Sequence, residues 1–379
     1  MRNSIIMRRR VNPFVLSGYH SPAYFCNRET ELAWLQDQFD NERNAVIHSW
    51  RRIGKTALLK HFFHNLEKNT KARCLFVDLL GTTDLLAANK KIAEAVVQKF
   101  GDPDSFGKRI LKMISAIGAT LGVDEYSGTP QLTFGLGAHR QPMQHSLDAI
   151  GKFLSEGETP IVVCLDEFQQ IVNYPEENSE AVFRTWVQNF PSIRFVFSGS
   201  HRHMTISMFS ETARPFYRSA QVLSLSSIEE QKYSKFITAF FTKGGKKISG
   251  ENIAQIFKWT RVQTYYVQLV CNKLYGRSNE VTVEIMHEVF EEIIQQEIPV
   301  FSSYQNLFTA YQWKVLVAIA KAEYTKKPLS RGFIDAYDLG AASSVKTALK
   351  SLESKEFIIA DVQGLTIQDT LLMRWLQRL

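Results

Sequence analysis

Apolar residues fall in two kinds of run along this chain. Short, nearly unbroken runs at 45–50 (AVIHSW), 74–79 (CLFVDL), 161–166 (IVVCLD), 193–199 (IRFVFSG) and 221–225 (QVLSL) predict strands. The first four are apolar on successive positions, as strands buried on both faces must be. Between them, TALLKHFFHNLEK (56–68) and LLAANKKIAEAVVQKF (85–100) repeat apolar residues at helical spacing. This alternation predicts an α/β fold in which helices cover a parallel sheet.

The rhythm breaks twice. Residues 101–145 hold one helical run and then a turn-rich stretch, expected to form a hairpin around SGTP (127–130) as an insertion on the sheet edge. After Leu225 the strand pattern stops, and 228–305 read as helices, with KGGKK (243–247) as a basic loop between two of them. In 306–379, YQWKVLVAIAKA predicts one helix and PLSRGFIDAYD a second, opened by Pro328. SSVKTALKSLESKE predicts a third, with Ser343 or Ser344 as N-cap. FIIADVQGLTIQD alternates around a glycine, as a small hairpin does. Three helices and a hairpin predict a winged helix-turn-helix. The expected division is a core at 1–227, a helical lid at 228–305 and a winged helix domain at 306–379.

Candidate chemistry starts where the first strand ends. SWRRIGKT (49–56) fits the phosphate-loop pattern G-x-x-x-x-G-K-[ST] except that Ser49 stands for the first glycine. A loop between a buried strand and a helix points backbone N–H groups and the helix dipole at an anion. Ser49, Arg51, Arg52, Ile53, Gly54, Lys55, Thr56 and Ala57 are therefore the predicted nucleotide cradle. Lys55 would reach the β- and γ-phosphates of ATP, and the Thr56 hydroxyl would hold Mg²⁺. Gly54 lets the backbone approach without a Cβ.

A second element makes the loop a working one. PIVVCLDEF (160–168) is an apolar strand ending in adjacent carboxylates. In nucleotide hydrolases such a strand lies beside the phosphate-loop strand; Asp166 would bind Mg²⁺ and Glu167 would polarise the attacking water. A third strand ends in polar residues, IRFVFSGSHRH (193–203), and is either an ordinary strand-end turn or one that would place Ser200, or alternatively Ser198, between the carboxylates and the γ-phosphate. His201 and His203 have no third ligand in the sequence nearby, so they read as loop imidazoles rather than a metal site.

Composition changes this picture little. The 45% hydrophobic and 22% charged residues are ordinary for a globular protein, and a net charge of +7 permits nucleic-acid contact without requiring it. No apolar stretch is long enough to span a membrane, and the first residues lack the apolar core of an export signal, with Met7 an alternative start. The four cysteines, Cys26, Cys74, Cys164 and Cys271, show no C-x-x-C spacing and fit a reducing cytoplasm.

SWRRIGKTALL, CLDEF, FSGSHRHM and ARPFYRSA, in this order, resemble the archaeal-type AAA ATPases of prokaryotes, P-loop NTPases grouped with the STAND signalling ATPases and close to the AAA+ class. The resemblance covers nearly the whole chain. NPF...SPAYFCNRETELAWLQ is similar to the family's N-terminal box, in which an aromatic residue and an arginine border the adenine. It implies that Phe25 and Arg28 lie on the nucleotide side, while Glu31 and Leu32 only open the helix. Relatives carry an arginine answering the γ-phosphate at the spacing of Arg214 and Arg218; the alternative for either is a salt bridge holding the loop. In the lid, Thr264 stands where a proline is usual, and Tyr265 is the candidate for touching nucleotide. The resemblance implies slow ATP hydrolysis serving a switch, with a protein partner or self-association, or else a DNA-acting ATPase like archaeal replication initiators. For the latter, Lys346, Thr347, Lys350 and Ser351 would face DNA. The 306–379 segment, with ten Lys/Arg against seven Asp/Glu, is only mildly basic.

Overall fold

The computed structural model describes residues 12–101, 107–123, 130–134, 143–361 and 363–379. Met7 and most of the expected SGTP turn lie outside them. The chain forms two compact units. One is Ser17–Ser226; the other joins residues 12–16 to Ser227–Leu379.

The first unit runs α1 (Glu29–Asp40), β1 (Ala45–His48), α2 (Lys55–Asn69), β2 (Arg73–Asp78), α3 (Leu85–Phe100) and α4 (Lys108–Ala116). It continues with β3 (Ala119–Val123), β4 (Pro130–Phe134), α5 (Met143–Ser155), β5 (Ile161–Asp166), α6 (Ser179–Asn189), β6 (Ile193–Gly199), α7 (Arg202–Ser210) and β7 (Gln221–Ser224). Five strands form one parallel sheet in the order β2-β5-β6-β1-β7. The period of two along each strand feeds two cores: Val163 and Leu165 of β5 enter one, Val162 and Cys164 the other.

Two expectations are corrected here. The carboxylate strand β5 does not lie beside the loop strand β1, because β6 pairs with both and separates them. The insertion hairpin does not extend the sheet edge: among the described residues β3 and β4 pair only with each other, and they pack on α4 and α3. Beneath the end of β5, Phe168 sits in an aromatic cluster with Phe183, Phe197, Phe209 and Phe216, with centroid separations of 4.6–6.2 Å from Phe168. Such pairs add stabilisation beyond their buried area.

The second unit comprises α8 (Glu230–Lys243), α9 (Gly250–Thr260), α10 (Thr264–Arg277), α11 (Val283–Ser303), α12 (Ala310–Ala322), α13 (Arg331–Ala336) and α14 (Ala342–Ser354). It ends with β8 (Ile358–Ala360), β9 (Leu365–Ile367) and α15 (Thr370–Leu376). Residues 12–16, which the expected division groups with the core, pack here: Phe14 lies against Phe240, Phe241 and Tyr275, and Asn12 donates to the Asn272 carbonyl. The winged helix has its three helices and hairpin. The caps differ from expectation: α13 is capped by Ser330 rather than opened by Pro328, and α14 starts after Ala341, so neither Ser343 nor Ser344 is its N-cap. The unpredicted α15 is buried nearly all round, which erases the amphipathic period that reveals a helix in sequence.

Lid and winged helix are joined by largely part-buried polar contacts. Arg261 takes a left-handed conformation at the end of α9 and donates to the Tyr324 hydroxyl (2.7 Å) and the Ile367 carbonyl (2.9 Å). Gln263 donates to the Gln368 carbonyl, and the Tyr266 hydroxyl to Asp369 at 2.6 Å. Arg374 of α15 reaches back to the carbonyls of Lys258 and Trp259. Charged donors to carbonyls are among the stronger protein hydrogen bonds, so α9, α10 and the wing hairpin form one body.

Candidate nucleotide site

The loop between β1 and α2 explains how serine replaces glycine at its entrance. Left-handed backbone is needed at Arg52 (φ 70°) and Gly54 (φ 98°), and Ser49 is not among the residues with positive φ. A side chain at 49 is therefore unstrained. It is buried, its hydroxyl donates to the Trp50 carbonyl at 3.0 Å, and its N–H reaches the Gly199 carbonyl at 3.4 Å. From α7, the Arg202 guanidinium lies 5.4 Å from the Trp50 ring and His203 edges against it, fixing the loop's first turn. Arg51 and Arg52 are exposed, Ile53 is buried, and Ala57 follows in the first turn of α2.

Lys55 is buried at the N-terminus of α2. Its ammonium stands 3.6 Å from Glu167 and 3.9 Å from Asp166. The Thr56 hydroxyl donates to Asp166 at 3.0 Å, and the Ser198 hydroxyl donates to the other Asp166 oxygen. The loop and the carboxylate pair, 110 residues apart, thus form one site. A hydroxyl and a carboxylate in contact are a donor set suited to a hard divalent cation. Among the described residues no cluster of three or more His, Cys, Asp or Glu that could hold a metal exists.

Glu167 follows β5 in a left-handed conformation (φ 54°), an energetic cost that such sites often carry. Its Oε2 accepts from Gln169 (2.6 Å), the Ser200 hydroxyl (2.7 Å) and the Ser200 N–H (3.2 Å). Burial pushes its pKa up, but the Lys55 charge and the bonds from Gln169 and Ser200 outweigh burial and hold it below the ordinary value. Of the two serine candidates, Ser198 bonds Asp166 and Ser200 bonds Glu167. Because β6 lies between β5 and β1, its end delivers both serines there. Gln169 was missed in the sequence; its signal is its place two residues after Glu167.

The remaining candidates divide. Arg28 is buried, pairs with Glu31 (2.8 Å) and donates to the Ile53 carbonyl (3.2 Å), so it reaches the phosphate loop. Glu31 thereby does more than open a helix, which corrects the expectation; Leu32 is half-buried against the core. Phe25 stacks on His61 at 4.0 Å, and the Tyr19 hydroxyl and Asn65 occupy the imidazole nitrogens. Arg214 is committed to Glu180 at 3.0 Å, the salt-bridge alternative, and Arg218 is exposed over the Tyr217 ring. Among the described residues no ion pair joins either guanidinium to Asp166 or Glu167. Tyr265 belongs to the other unit, in the first turn of α10, with its ring against Tyr266.

The family model described as an ATPase domain predominantly from Archaea matches residues 25–270, and one for a probable winged helix domain matches 299–378. No curated protein sequence matches the chain. Among solved structures, the Walker-type ATPase PABY2304 of Pyrococcus abyssi is similar with a TM-score of 0.67 at 14% identity, covering 96% of this chain and 99% of that one. The ORC2 protein of Aeropyrum pernix, solved in ADPNP–ADP complexes, gives 0.62 at 13%, covering 98% and 96%. The ORC1 protein of Aeropyrum pernix, solved in complex with DNA, gives 0.53 at 13%, covering 97% and 96%. At these identities the likeness concerns the fold, a P-loop NTPase core followed by a winged helix. Among the described residues no helix is long and apolar enough to cross a membrane.

Proposed function

Since the chain belongs to the family of ATPase domains found predominantly in Archaea, we propose that this ATPase is a slow, Mg²⁺-dependent nucleotide switch whose state is passed to the lid and winged helix. The observation that supports the site is the convergence of Lys55, Thr56, Asp166 and Glu167 at the ends of β1 and β5. Lys55 binds the β- and γ-phosphates, leaving its place between the carboxylates. Thr56 and Asp166 would hold the metal ion, which when bound would supply positive charge against the phosphates. Glu167 draws a proton from the attacking water. Phe25 and Arg28 are proposed on the nucleotide side, Arg28 acting through the loop carbonyl it holds. Arg218, exposed and without an ion pair among the described residues, remains the better of the two proposed γ-phosphate arginines. The test is Glu167→Gln: it should bind ATP as the parent does and leave it unhydrolysed, and hydrolysis at the parental rate would refute the assignment.

A second reading, a DNA-acting ATPase, is favoured by one observation. Lys346, Thr347 and Lys350 lie exposed along α14, while Val345, Ala348 and Leu352 are buried beneath. A helix presenting lysines in this way suits phosphate contacts in a groove; Ser351 instead accepts from Gln312. Duplex affinity of the full chain should then fall steeply with salt, and less steeply after Lys346→Ala and Lys350→Ala. Binding that ignores both substitutions would remove this reading and leave the winged helix as a docking site for a protein partner or a second copy.

A further inference from the structure

Gln169 is buried beside the site, and its surroundings single it out. Its amide NH₂ donates to Glu167 Oε2 at 2.6 Å, yet its amide oxygen is buried with no hydrogen-bond partner among the described residues. Turning the amide over would set oxygen against carboxylate oxygen, so Glu167 dictates the orientation. Room for it depends on Gly199, where a Cβ would collide with that amide oxygen and with the Thr205 hydroxyl. A buried acceptor left unsatisfied is a cost that packing alone does not explain.

The same carboxylate oxygen receives the Ser200 hydroxyl at 2.7 Å and the Ser200 N–H at 3.2 Å. Three donors exceed the two lone pairs of one oxygen, so Oε2 has no capacity left for a water. Oε1 is engaged differently: it faces the Lys55 ammonium at 3.6 Å. Phosphates arriving in the loop would draw that ammonium away and uncover Oε1.

Resting on the reading of Glu167 as the base, we propose that Gln169 and Ser200 are positioning residues, which clamp Glu167 through Oε2 and so make Oε1 the proton-accepting atom. In the step they serve, the water oxygen bonds to the γ-phosphorus and the bond from that phosphorus to the bridging oxygen breaks. The bond's electron pair leaves on ADP, and the water proton passes to Oε1 and later to solvent. Orientation of this kind acts on turnover rather than on nucleotide binding.

The experiment measures kcat, KM and ATP affinity in the full chain with Mg²⁺. Gln169→Leu and Ser200→Ala should each lower kcat about tenfold or more while ATP affinity stays within about twofold. Ser200→Thr, which keeps the hydroxyl, should restore turnover to within about threefold of the parent. A parental or raised kcat in Gln169→Leu, or a Ser200→Thr variant as impaired as Ser200→Ala, would overturn the clamp. If Glu167→Gln itself turns over normally, base and clamp fall together. If Glu167→Gln is inactive and Gln169→Leu is not, only the clamp falls.

Discussion

The Arg28 guanidinium donates to the carbonyl of Ile53 at 3.2 Å, tying the residue before α1 to the middle of the phosphate loop. Glu31 holds the same guanidinium from one turn along α1. Replacing Arg28 by Met should cost about 1.5–3 kcal/mol, since it removes a buried charge-assisted bond to the loop. Denaturant unfolding reads that loss. ATP affinity should drop with it, because the loop loses its outer support, and Glu31→Gln should show the same effects at smaller size.

Lys55→Ala removes the cation that faces both carboxylates and would meet the phosphates. ATP affinity by calorimetry should fall at least severalfold, and equal affinity in mutant and parent would refute the phosphate-loop assignment.

Asp166 accepts from Thr56 and Ser198 at once. Asp166→Asn should leave nucleotide binding in chelator near parental while removing most of the gain that Mg²⁺ brings. A full Mg²⁺ response in this variant would assign the metal elsewhere.

His48, the last residue of β1, is buried, and burial together with the Arg202 charge pushes its pKa from 6.5 down to about 4. The folded chain therefore holds it neutral. Its contribution is complete above pH 6.5 and is lost as the pH falls from 6.5 through 4, amounting to about 3 kcal/mol at most. The thermal midpoint of the parent should drop more between pH 7 and pH 5 than that of His48→Gln. Parallel curves would refute the assignment.

The Arg261 contacts join α9 to the wing. Hydrogen exchange of β8, β9 and α15 should speed up in Arg261→Ala, with a stability loss of about 1–3 kcal/mol. In the parent, exchange across lid and winged helix should change together between ADP and a non-hydrolysable ATP analogue. Identical protection in both nucleotide states would refute the switch.

Much of this was legible in the sequence because buried strands leave continuous apolar runs. Four of the five strands of the parallel sheet, and the loop after the first, stood out on that ground, whereas β7 is largely exposed. Strand order was not legible: β6 inserts between β1 and β5, and nothing in IRFVFSG says which neighbours it takes. The Lys55, Thr56, Asp166 and Glu167 constellation was readable because its members end predicted strands or start predicted helices. Gln169 and the Arg28–Ile53 bond were not, since each depends on where a side chain turns within a loop or box. The short α15 escaped because its apolar residues lack a face.

Phe168 follows Glu167 directly and is wedged among the rings of Phe183, Phe197, Phe209 and Phe216. Random mutagenesis scored by ATP turnover would therefore mark these rings as sharply as the carboxylates. Replacing Phe209 or Phe216 by Leu frees ring volume under Phe168, and the peptide carrying Glu167 would settle into it. Such variants would still bind nucleotide, resembling base mutants in every assay except melting. For anyone mapping this enzyme by phenotype, the hydrophobic interior and the reacting groups form a single target, and calorimetric stability is the measurement that parts them.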